Sequence, residues 1–318
     1  EDATWPLFGR TWTDRLVVTS GEHVEVVDLN TGRSTVIDGP EADTSTFRGG
    51  FDTQAAIADG ELYLVAHGAI HRVTGTTTEP VWEPEASADN FAFVLGNFPV
   101  GGYLQEFSRS GTTALRSIVD GELVDLGDVL RFAVVGDVIF SERGGIIVRR
   151  TADGSIEEWA SGEIVAAGDA ALVWRTCDVD SCEYFAGAVD DRAPRRLDAD
   201  VVERTVVETA AQFTTGGFRG AIPPLASPTG RYGFAVVVGD ADDDDEFIDS
   251  GVQLVDLEGG GFTTLVPSPQ QIAFASGEQA LAITDSRDVF VVDTETGAVA
   301  ELPWTCLLYT SPSPRDRY

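Results

Sequence analysis

The sequence predicts an all-β protein built from repeated units of similar length. Short runs of Val, Ile, Leu and Phe recur along the chain, broken by Gly, Asp and Asn-Thr-Gly turns. This is the pattern of short strands joined by tight turns. No stretch keeps the three- and four-residue spacing of apolar residues that an amphipathic helix needs. Hydrophobic residues make up 43% of the 318 residues, which is enough for a sizeable core.

Three hairpins have nearly the same sequence, and the chemistry of their turns explains why. Residues 27–32, 255–260 and 292–297 each follow an apolar strand and contain Asp and then Gly. An Asp that ends a strand can accept hydrogen bonds from the turn backbone two residues later. Gly supplies the positive φ that a longer hairpin loop requires. These turns predict strand-turn-strand units.

Weaker copies of the unit start at Glu61, Arg131 and Glu163, and a looser one spans residues 91–127. We count seven units between Arg15 and Trp304, of about 40 residues each, which is the period of four-stranded propeller blades. The sequence therefore predicts a seven-bladed β-propeller of four-stranded antiparallel blades, in a single domain over residues 1–305. The pattern leaves a pair of β-sandwiches or an irregular β-solenoid open as alternatives.

Three tryptophans occupy similar positions in their units. Trp82, Trp159 and Trp304 fall near the end of the fourth strand. A bulky ring repeated at one structural position is what stacked sheets need to fill the wedge between them, so we expect these rings at the junctions between blades.

One segment carries a resemblance to known proteins. Residues 227–236 read SPTGRYGFAV, which resembles the Ser-Pro-Asp-Gly-Arg/Lys turn of WD-like and Tol-Pal-type propellers, with Thr229 in place of Asp. By this turn and the repeat pattern, the chain resembles WD-like or quinoprotein-like seven-bladed propellers of the secreted bacterial type. The sequence lacks the His and Trp-Asp signatures of true WD repeats, so the resemblance does not imply their cytosolic scaffold role.

Both ends of the chain are expected to be atypical. The first unit offers only three clear strands, so we expect an incomplete first blade and a missing closing strand that would follow Trp304. Residues 306–318, CLLYTSPSPRDRY, when read back through the genetic code, resemble the adapter of a transposon-based sequencing library. We expect them to be a non-native, disordered tail; a genuine Pro-rich tail is the alternative. Because Met is absent, we also expect a missing leader.

The chain is strongly acidic. It has 53 Asp and Glu against 21 basic residues, for a net charge of −32. Because phosphate binding needs basic patches, this balance argues against nucleic acid and against anionic membrane surfaces as partners. No segment approaches the ~20 apolar residues that span a bilayer.

Cys177 and Cys182 flank four residues between two predicted strands. Cross-strand positions beside a hairpin loop can meet disulfide geometry, so the spacing predicts a disulfide, with a pair of free thiols as the alternative. A disulfide implies an oxidising compartment, and therefore a periplasmic, envelope-anchored or secreted protein.

An acidic segment at residues 239–251 interrupts the sixth unit. Asp240, Asp242 and Asp244 alternate as the ligands of a calcium loop do, and Asp249 could close the site. The Gly expected after the third acid is Asp245, and Asp249 comes one residue late. The sequence therefore leaves open a calcium site or a solvated acidic loop.

A long connection at residues 204–220 separates the fifth and sixth units. It is too long for a blade turn, so we expect a loop over one face, with Arg204, Arg219 and Arg231 able to bind an anion. A plain surface loop is the alternative.

The sequence favours a binding role over catalysis. It contains no Gly-x-Ser-x-Gly elbow, phosphate loop or sialidase box. We predict an extracytoplasmic, non-catalytic binding or scaffold propeller with a protein or peptide partner. The alternatives are a calcium-dependent, lactonase-like hydrolase or lyase with its site at the central channel, and a sensor or assembly module of a longer chain. The oligomeric state is not predicted.

Overall fold

The chain folds almost entirely as β-strands in a computed structural model. The described residues are 7–8, 10–12, 15–20, 23–28, 31, 33–38, 53–66, 69–83, 99–100, 102–107, 113–129, 131–151, 154–189, 194–207, 209, 220–221, 225–237, 251–267, 271–274, 280–283 and 289–302. Within these residues the strands form seven sheets, which follow one another along the chain.

The first three sheets are antiparallel meanders of four strands each. A short strand, β1 (Leu7–Phe8), precedes them. Sheet 1 contains β2 (Arg10–Trp12), β3 (Arg15–Ser20), β4 (His23–Asp28) and β5 (Ser34–Ile37). Sheet 2 contains β6 (Thr53–Ala58), β7 (Glu61–Ala66), β8 (Ala69–Thr74) and β9 (Thr77–Trp82). Sheet 3 contains β10 (Pro99–Val100), β11 (Tyr103–Phe107), β12 (Thr113–Ser117) and β13 (Leu123–Gly127).

The next two sheets repeat the meander, and a helical segment follows them. Sheet 4 contains β14 (Arg131–Val135), β15 (Val138–Arg143), β16 (Ile146–Arg150) and β17 (Ile156–Ser161). Sheet 5 contains β18 (Glu163–Ala167), β19 (Ala171–Cys177), β20 (Cys182–Ala188) and β21 (Arg195–Arg196). The helix α1 (Ala199–Val202) continues into a π-helix (Glu203–Val207). Asp198 caps α1, since its side chain accepts a hydrogen bond from the Val201 amide at 3.1 Å.

The last two sheets complete the series. After β22 (Gly220–Ala221), sheet 6 contains β23 (Tyr232–Val237), β24 (Gly251–Asp256) and β25 (Phe262–Pro267). Ala226 adds a single antiparallel bridge to Gly233. Sheet 7 contains β26 (Gln271–Phe274), β27 (Ala280–Ile283), β28 (Val289–Val292) and β29 (Val299–Leu302).

Two short strands join sheets that lie far from them in the sequence. β22 pairs in parallel with β14, the first strand of sheet 4, and β1 pairs in parallel with β26, the first strand of sheet 7. The backbone groups that β14 and β26 expose at these positions are therefore paired, which lowers their tendency to recruit another chain.

The Asp-Gly turns form as the sequence predicts. Asp28 accepts a hydrogen bond from the Thr31 amide at 2.8 Å, and Asp293 accepts one from the Thr296 amide at 2.8 Å. Gly260 and Gly297 close two of the turns with φ of 73° and 69°. The predicted chemistry of these hairpins is confirmed.

The inner strands of sheets 2, 4 and 5 are buried on both faces, so they read as continuous apolar runs, whereas the outer strands β9 and β17 are largely exposed. In β7, Leu62 and Leu64 lie in a core cluster shared with sheet 1, whereas Tyr63 and Val65 lie in a cluster shared with Leu104 of sheet 3. Alternate side chains of one strand thus cover two neighbours. Further clusters join sheets 3 and 4, sheets 4 and 5, and sheets 5, 6 and 7.

The prediction of an incomplete first sheet is wrong. β2 supplies its first strand, with Arg10, Thr11 and Trp12 paired to Val17, Leu16 and Arg15. This strand was missed because three residues containing Arg and Thr carry no apolar run. The closing strand predicted after Trp304, and the tail at residues 306–318, lie outside the described residues.

Two of the three predicted junction tryptophans are described, and both lie where the repeat places them. Trp82 and Trp159 are on the fourth strands of sheets 2 and 4. Each packs against a cluster that includes residues of the next sheet. Trp304 lies outside the described residues.

Candidate functional site

A disulfide joins Cys177 and Cys182 at the tip of the hairpin between β19 and β20. The two residues are the last register pair of these strands, and their Cα atoms are 4.0 Å apart. Inside the loop, the Asp178 carboxylate accepts hydrogen bonds from the amides of Ser181 at 2.7 Å and Asp180 at 3.0 Å. The hydrogen bonds from these two amides hold the pKa of the Asp178 carboxyl below its ordinary value, and the bond from Ser181 has the larger effect.

The four predicted calcium ligands, Asp240, Asp242, Asp244 and Asp249, lie outside the described residues. The strands on either side are described, and Val237 of β23 pairs with Gly251 of β24. The acidic segment therefore starts and ends at one hairpin of sheet 6. Within the described residues, no three His, Cys, Asp or Glu side chains are placed to hold a metal ion together.

The calcium prediction can be tested by thermal melting. If the four aspartates bind calcium, adding it at about 100 times its Kd should stabilise the fold by about 2.7 kcal/mol, because the ion binds only the folded chain. Melting in calcium and in chelator measures this shift, and Asp242→Asn with Asp244→Asn should abolish it. Equal melting temperatures in calcium and chelator would contradict a calcium site.

The predicted loop at residues 204–220 begins with the π-helix instead. Two of its three predicted anion-binding arginines have intramolecular partners: Arg204 donates to the Asp200 carbonyl at 3.1 Å, and Arg231 pairs with Asp256 at 3.3 Å. Arg219 lies outside the described residues. Arg204 and Arg231 therefore serve local contacts in this structure.

A cluster of charged side chains joins sheets 4 and 5 to the π-helix. This inter-sheet charge cluster consists of Arg131, Glu142, Glu163, Arg175 and Glu203. Arg175 lies centrally, with its guanidinium 2.9 Å from the Glu163 carboxylate and 3.6 Å from that of Glu203. Arg131 is 3.8 Å from Glu163. Because Glu163 and Arg131 are about two-fifths exposed, their pair contributes little stability by itself.

Glu142 and Arg131 bind the two polar groups of one peptide residue across the sheet junction. Glu142 accepts a hydrogen bond from the Ile164 amide at 3.3 Å, and Arg131 donates to the Ile164 carbonyl at 3.3 Å. Ile164 lies on β18, whose other side pairs with β19. Side chains of sheet 4 thus satisfy backbone groups that would otherwise require a neighbouring strand.

Burial raises the pKa of the Glu142 carboxyl above its ordinary value of 4.5. Glu142 is only 5% exposed. The negative charge of Glu163 raises this pKa further, whereas Arg131, the Ile164 amide and Arg175 oppose the rise. A raised pKa is a property of many functional carboxyls and also of structural ones.

Glu142→Gln should raise the melting temperature by a few degrees at pH 7.5. The raised pKa means that folding favours the protonated carboxyl. The stabilisation that comes from the protonated Glu142 carboxyl is complete below pH 4.5, which is its ordinary pKa. This stabilisation is lost as the pH rises through the higher pKa of Glu142 in the folded protein. Gln keeps an oxygen for the Ile164 amide and removes the buried charge, so its advantage should disappear below pH 4.5.

Melting curves of both proteins from pH 4 to pH 8 measure this difference, with the exposed Glu158→Gln as a control that should show no such pH dependence. Below pH 3.8 a different loss begins, since folding lowers the pKa of Asp178 and Asp293 from that value. A lower melting temperature for Glu142→Gln at pH 7.5 would show that the charged form stabilises the junction.

No protein-family model and no curated protein sequence matches the chain. Similar solved structures include PorZ, a surface component of the type-IX secretion system of Porphyromonas gingivalis, with 9% identity and a TM-score of 0.45. That match covers 94% of this chain but 38% of PorZ. Within the described residues, no helix has the length and apolar character to cross a membrane.

Two further structures resemble the chain at similar levels. The N-terminal domain of Nup159 has 11% identity and a TM-score of 0.38, over 94% of this chain and 90% of that domain. An acylaminoacyl peptidase has 11% identity and a TM-score of 0.48, over 92% of this chain and 51% of the peptidase.

Proposed function

We propose that the chain is a seven-bladed β-propeller that binds or scaffolds a protein or peptide partner outside the cytoplasm and catalyses no reaction. The observation that carries the proposal is the order of the sheets. Within the described residues, core clusters join each of seven consecutive sheets to the next, and β1 brings the start of the chain back to sheet 7. If these sheets close as a ring, each sheet packs against two neighbours and its faces are buried. The turns and the outer edge strands then remain available to bind a partner.

The inter-sheet charge cluster supports the absence of catalysis. Its buried carboxylate, Glu142, and its Arg131 are hydrogen-bonded to the backbone of Ile164, and Arg175 is paired with Glu163. The contacts of Glu142 and Arg131 hold sheet 5 against sheet 4, and the pair of Arg175 and Glu163 joins two strands of sheet 5, so these charges have structural uses. A general acid or base needs instead to reach a substrate proton.

The disulfide supports a location outside the cytoplasm, because such bonds persist in oxidising compartments. Rapid alkylation of intact producing cells, followed by mass spectrometry of the 177–182 peptide, tests this. The proposal requires Cys177 and Cys182 to escape alkylation until a reductant is added. Alkylation of both thiols without reductant would contradict the location.

The binding role requires a partner that can be isolated and bound again. The tagged chain would be cross-linked in the envelope of producing cells, and the captured protein purified and titrated against the untagged chain. Saturable binding at 0.15 M salt is expected, whereas an unrelated protein of equal net charge should not bind. Failure to isolate any such partner would overturn the binding role. If the chain hydrolyses lactones or other esters and Glu142→Gln lowers that activity, the non-catalytic assignment is wrong.

A further inference from the structure

The junction between sheets 2 and 3 carries an aromatic ring beneath a guanidinium. The Arg116 side chain on β12 lies over the Trp82 ring of β9, with 4.2 Å between the guanidinium carbon and the ring centroid. Arg116 also donates a hydrogen bond to the Gly121 carbonyl at 2.7 Å. These contacts fix the ring and the cation relative to the turn that joins β12 to β13.

Two apolar side chains near this pair in the sequence and register of sheet 3 are exposed. Leu123 of β13 is the register partner of Arg116, so the two side chains lie on the same face of sheet 3. Leu123 is 53% exposed, and Val119 in the adjoining turn is 39% exposed. Trp82, Arg116 and Leu123 together form what we call the 2–3 notch.

The corresponding junction between sheets 4 and 5 is closed. There Trp159, which lies on the fourth strand of its sheet as Trp82 does, contacts Phe140 and Trp174 with ring centroids 5.0 Å and 4.6 Å away. Phe185 adds a further ring beside Trp174. Four aromatic rings meet at the 4–5 junction. At the 2–3 junction Trp82 packs against a buried cluster that contains Tyr63, but a cation covers the Trp82 ring and Leu123 stays exposed. Trp and Arg are also the residues that most often anchor protein interfaces.

The charged residues around the notch indicate the chemistry of a partner surface that would fit it. Asp120 and Glu122 on either side of Gly121 are exposed, as is Glu83 directly after Trp82. The chain as a whole carries a net charge of −32. A partner surface with an apolar side chain and flanking cations would match this apolar centre and acidic rim.

We propose that the 2–3 notch is the docking surface for the partner, and that it receives an apolar side chain flanked by Lys or Arg. The proposal rests on the binding role proposed above and gives that role a place and a chemistry. The apolar anchor covers Leu123 and the edge of the Trp82 ring, and the flanking cations face Asp120, Glu122 and Glu83.

Defined peptides test this chemistry directly. The first probe is a blocked fluorescent peptide with a central Leu between two pairs of Arg; the second has Ser in place of that Leu. The wild-type chain should bind the Leu probe about tenfold more tightly than the Ser probe, a typical difference for one buried anchor. Leu123→Ser should remove this preference, and Glu122→Gln should weaken binding of both probes and its salt dependence.

The matched control is Ile156→Ser on β17, since Ile156 is 55% exposed but lies on sheet 4. It should bind both probes as the wild-type chain does. If the wild-type chain binds the two probes equally, or if Leu123→Ser still prefers the Leu probe, binding does not depend on the notch. Either result would overturn the proposal that the notch is the docking surface.

The isolated partner separates this proposal from the binding role. If the partner binds the wild-type chain and Leu123→Ser equally well, the notch is wrong and the binding role stands. If Leu123→Ser weakens binding about tenfold while Ile156→Ser does not, both stand. Circular dichroism of each variant should match the wild type, because both substitutions replace exposed side chains.

Discussion

Gly168→Ala should destabilise the protein by about 3 kcal/mol, although it adds a single methyl group. Gly168 follows β18 and lies against the residues that bridge to sheet 6. A Cβ atom at this position would be 2.3 Å from the Ser227 carbonyl oxygen and 2.6 Å from that of Ala226. Both obstacles are backbone atoms, so no side-chain rotation can relieve the clash.

The neighbouring backbone is also held in place by hydrogen bonds. The Ala226 amide donates to the Ala167 carbonyl at 3.0 Å, and the Ser227 amide donates to the Tyr232 carbonyl at 2.9 Å. Moving residues 226 and 227 away from a methyl group would lengthen these bonds. The substitution must therefore either strain the junction between sheets 5 and 6 or separate it.

Urea unfolding followed by far-ultraviolet circular dichroism measures the loss. Gly261→Ala is the matched control, because a Cβ atom there would have nothing within 4 Å and its φ is not positive. The control should change stability by less than about 0.5 kcal/mol. If Gly168→Ala is as stable as Gly261→Ala, the close contact between these two sheets is not present in solution.

The sequence predicts the repeated hairpins well because their determinants are local. Asp28, Asp256 and Asp293 each organise a turn with groups two or three residues away. The alternation that buries both faces of β7 is likewise written in six consecutive residues. Strands with few apolar residues, such as β2 and β10, give no such signal. They are recognised as strands only from their pairing with a neighbouring strand in the structure.

The inter-sheet charge cluster could not be assembled from the sequence. Arg131, Glu142 and Ile164 meet only because sheets 4 and 5 pack face to face, and Glu203 joins through a helical segment that follows sheet 5. One signal was available: Glu142 continues the buried run of β15, where an apolar residue is expected. A charge at such a position indicates a partner but does not name it.

The 2–3 notch shows the same division between local and distant determinants. The repeat places Trp82 at the end of a fourth strand, so a ring near a sheet junction is predictable. That Arg116 covers this ring while Leu123 stays open depends on the register of β12 and β13 and on how sheet 3 meets sheet 2. Neither relationship is encoded within one strand.

Trp174→Ala should cost about 3–5 kcal/mol, the usual range for deleting a large buried aromatic side chain. Trp174 is 4% exposed and lies in the core cluster that joins sheets 4 and 5. Its ring centroid is 4.6 Å from that of Trp159 in an edge-to-face contact and 5.7 Å from that of Phe185 in a stacked contact. Removing it leaves a cavity between two sheets that cannot collapse without moving both.

Trp174→Phe separates the loss of the ring from the loss of volume. It keeps an aromatic face for Trp159 and Phe185, so it should lose less than half as much stability as Trp174→Ala. Urea unfolding gives both values, and near-ultraviolet circular dichroism gives an independent readout, since the fixed pair of Trp159 and Trp174 should contribute to that spectrum. A loss below about 1 kcal/mol for Trp174→Ala, with an unchanged spectrum, would mean that the rings do not hold the junction. Sheets 4 and 5 would then depend on the backbone contacts of Arg131 and Glu142 instead.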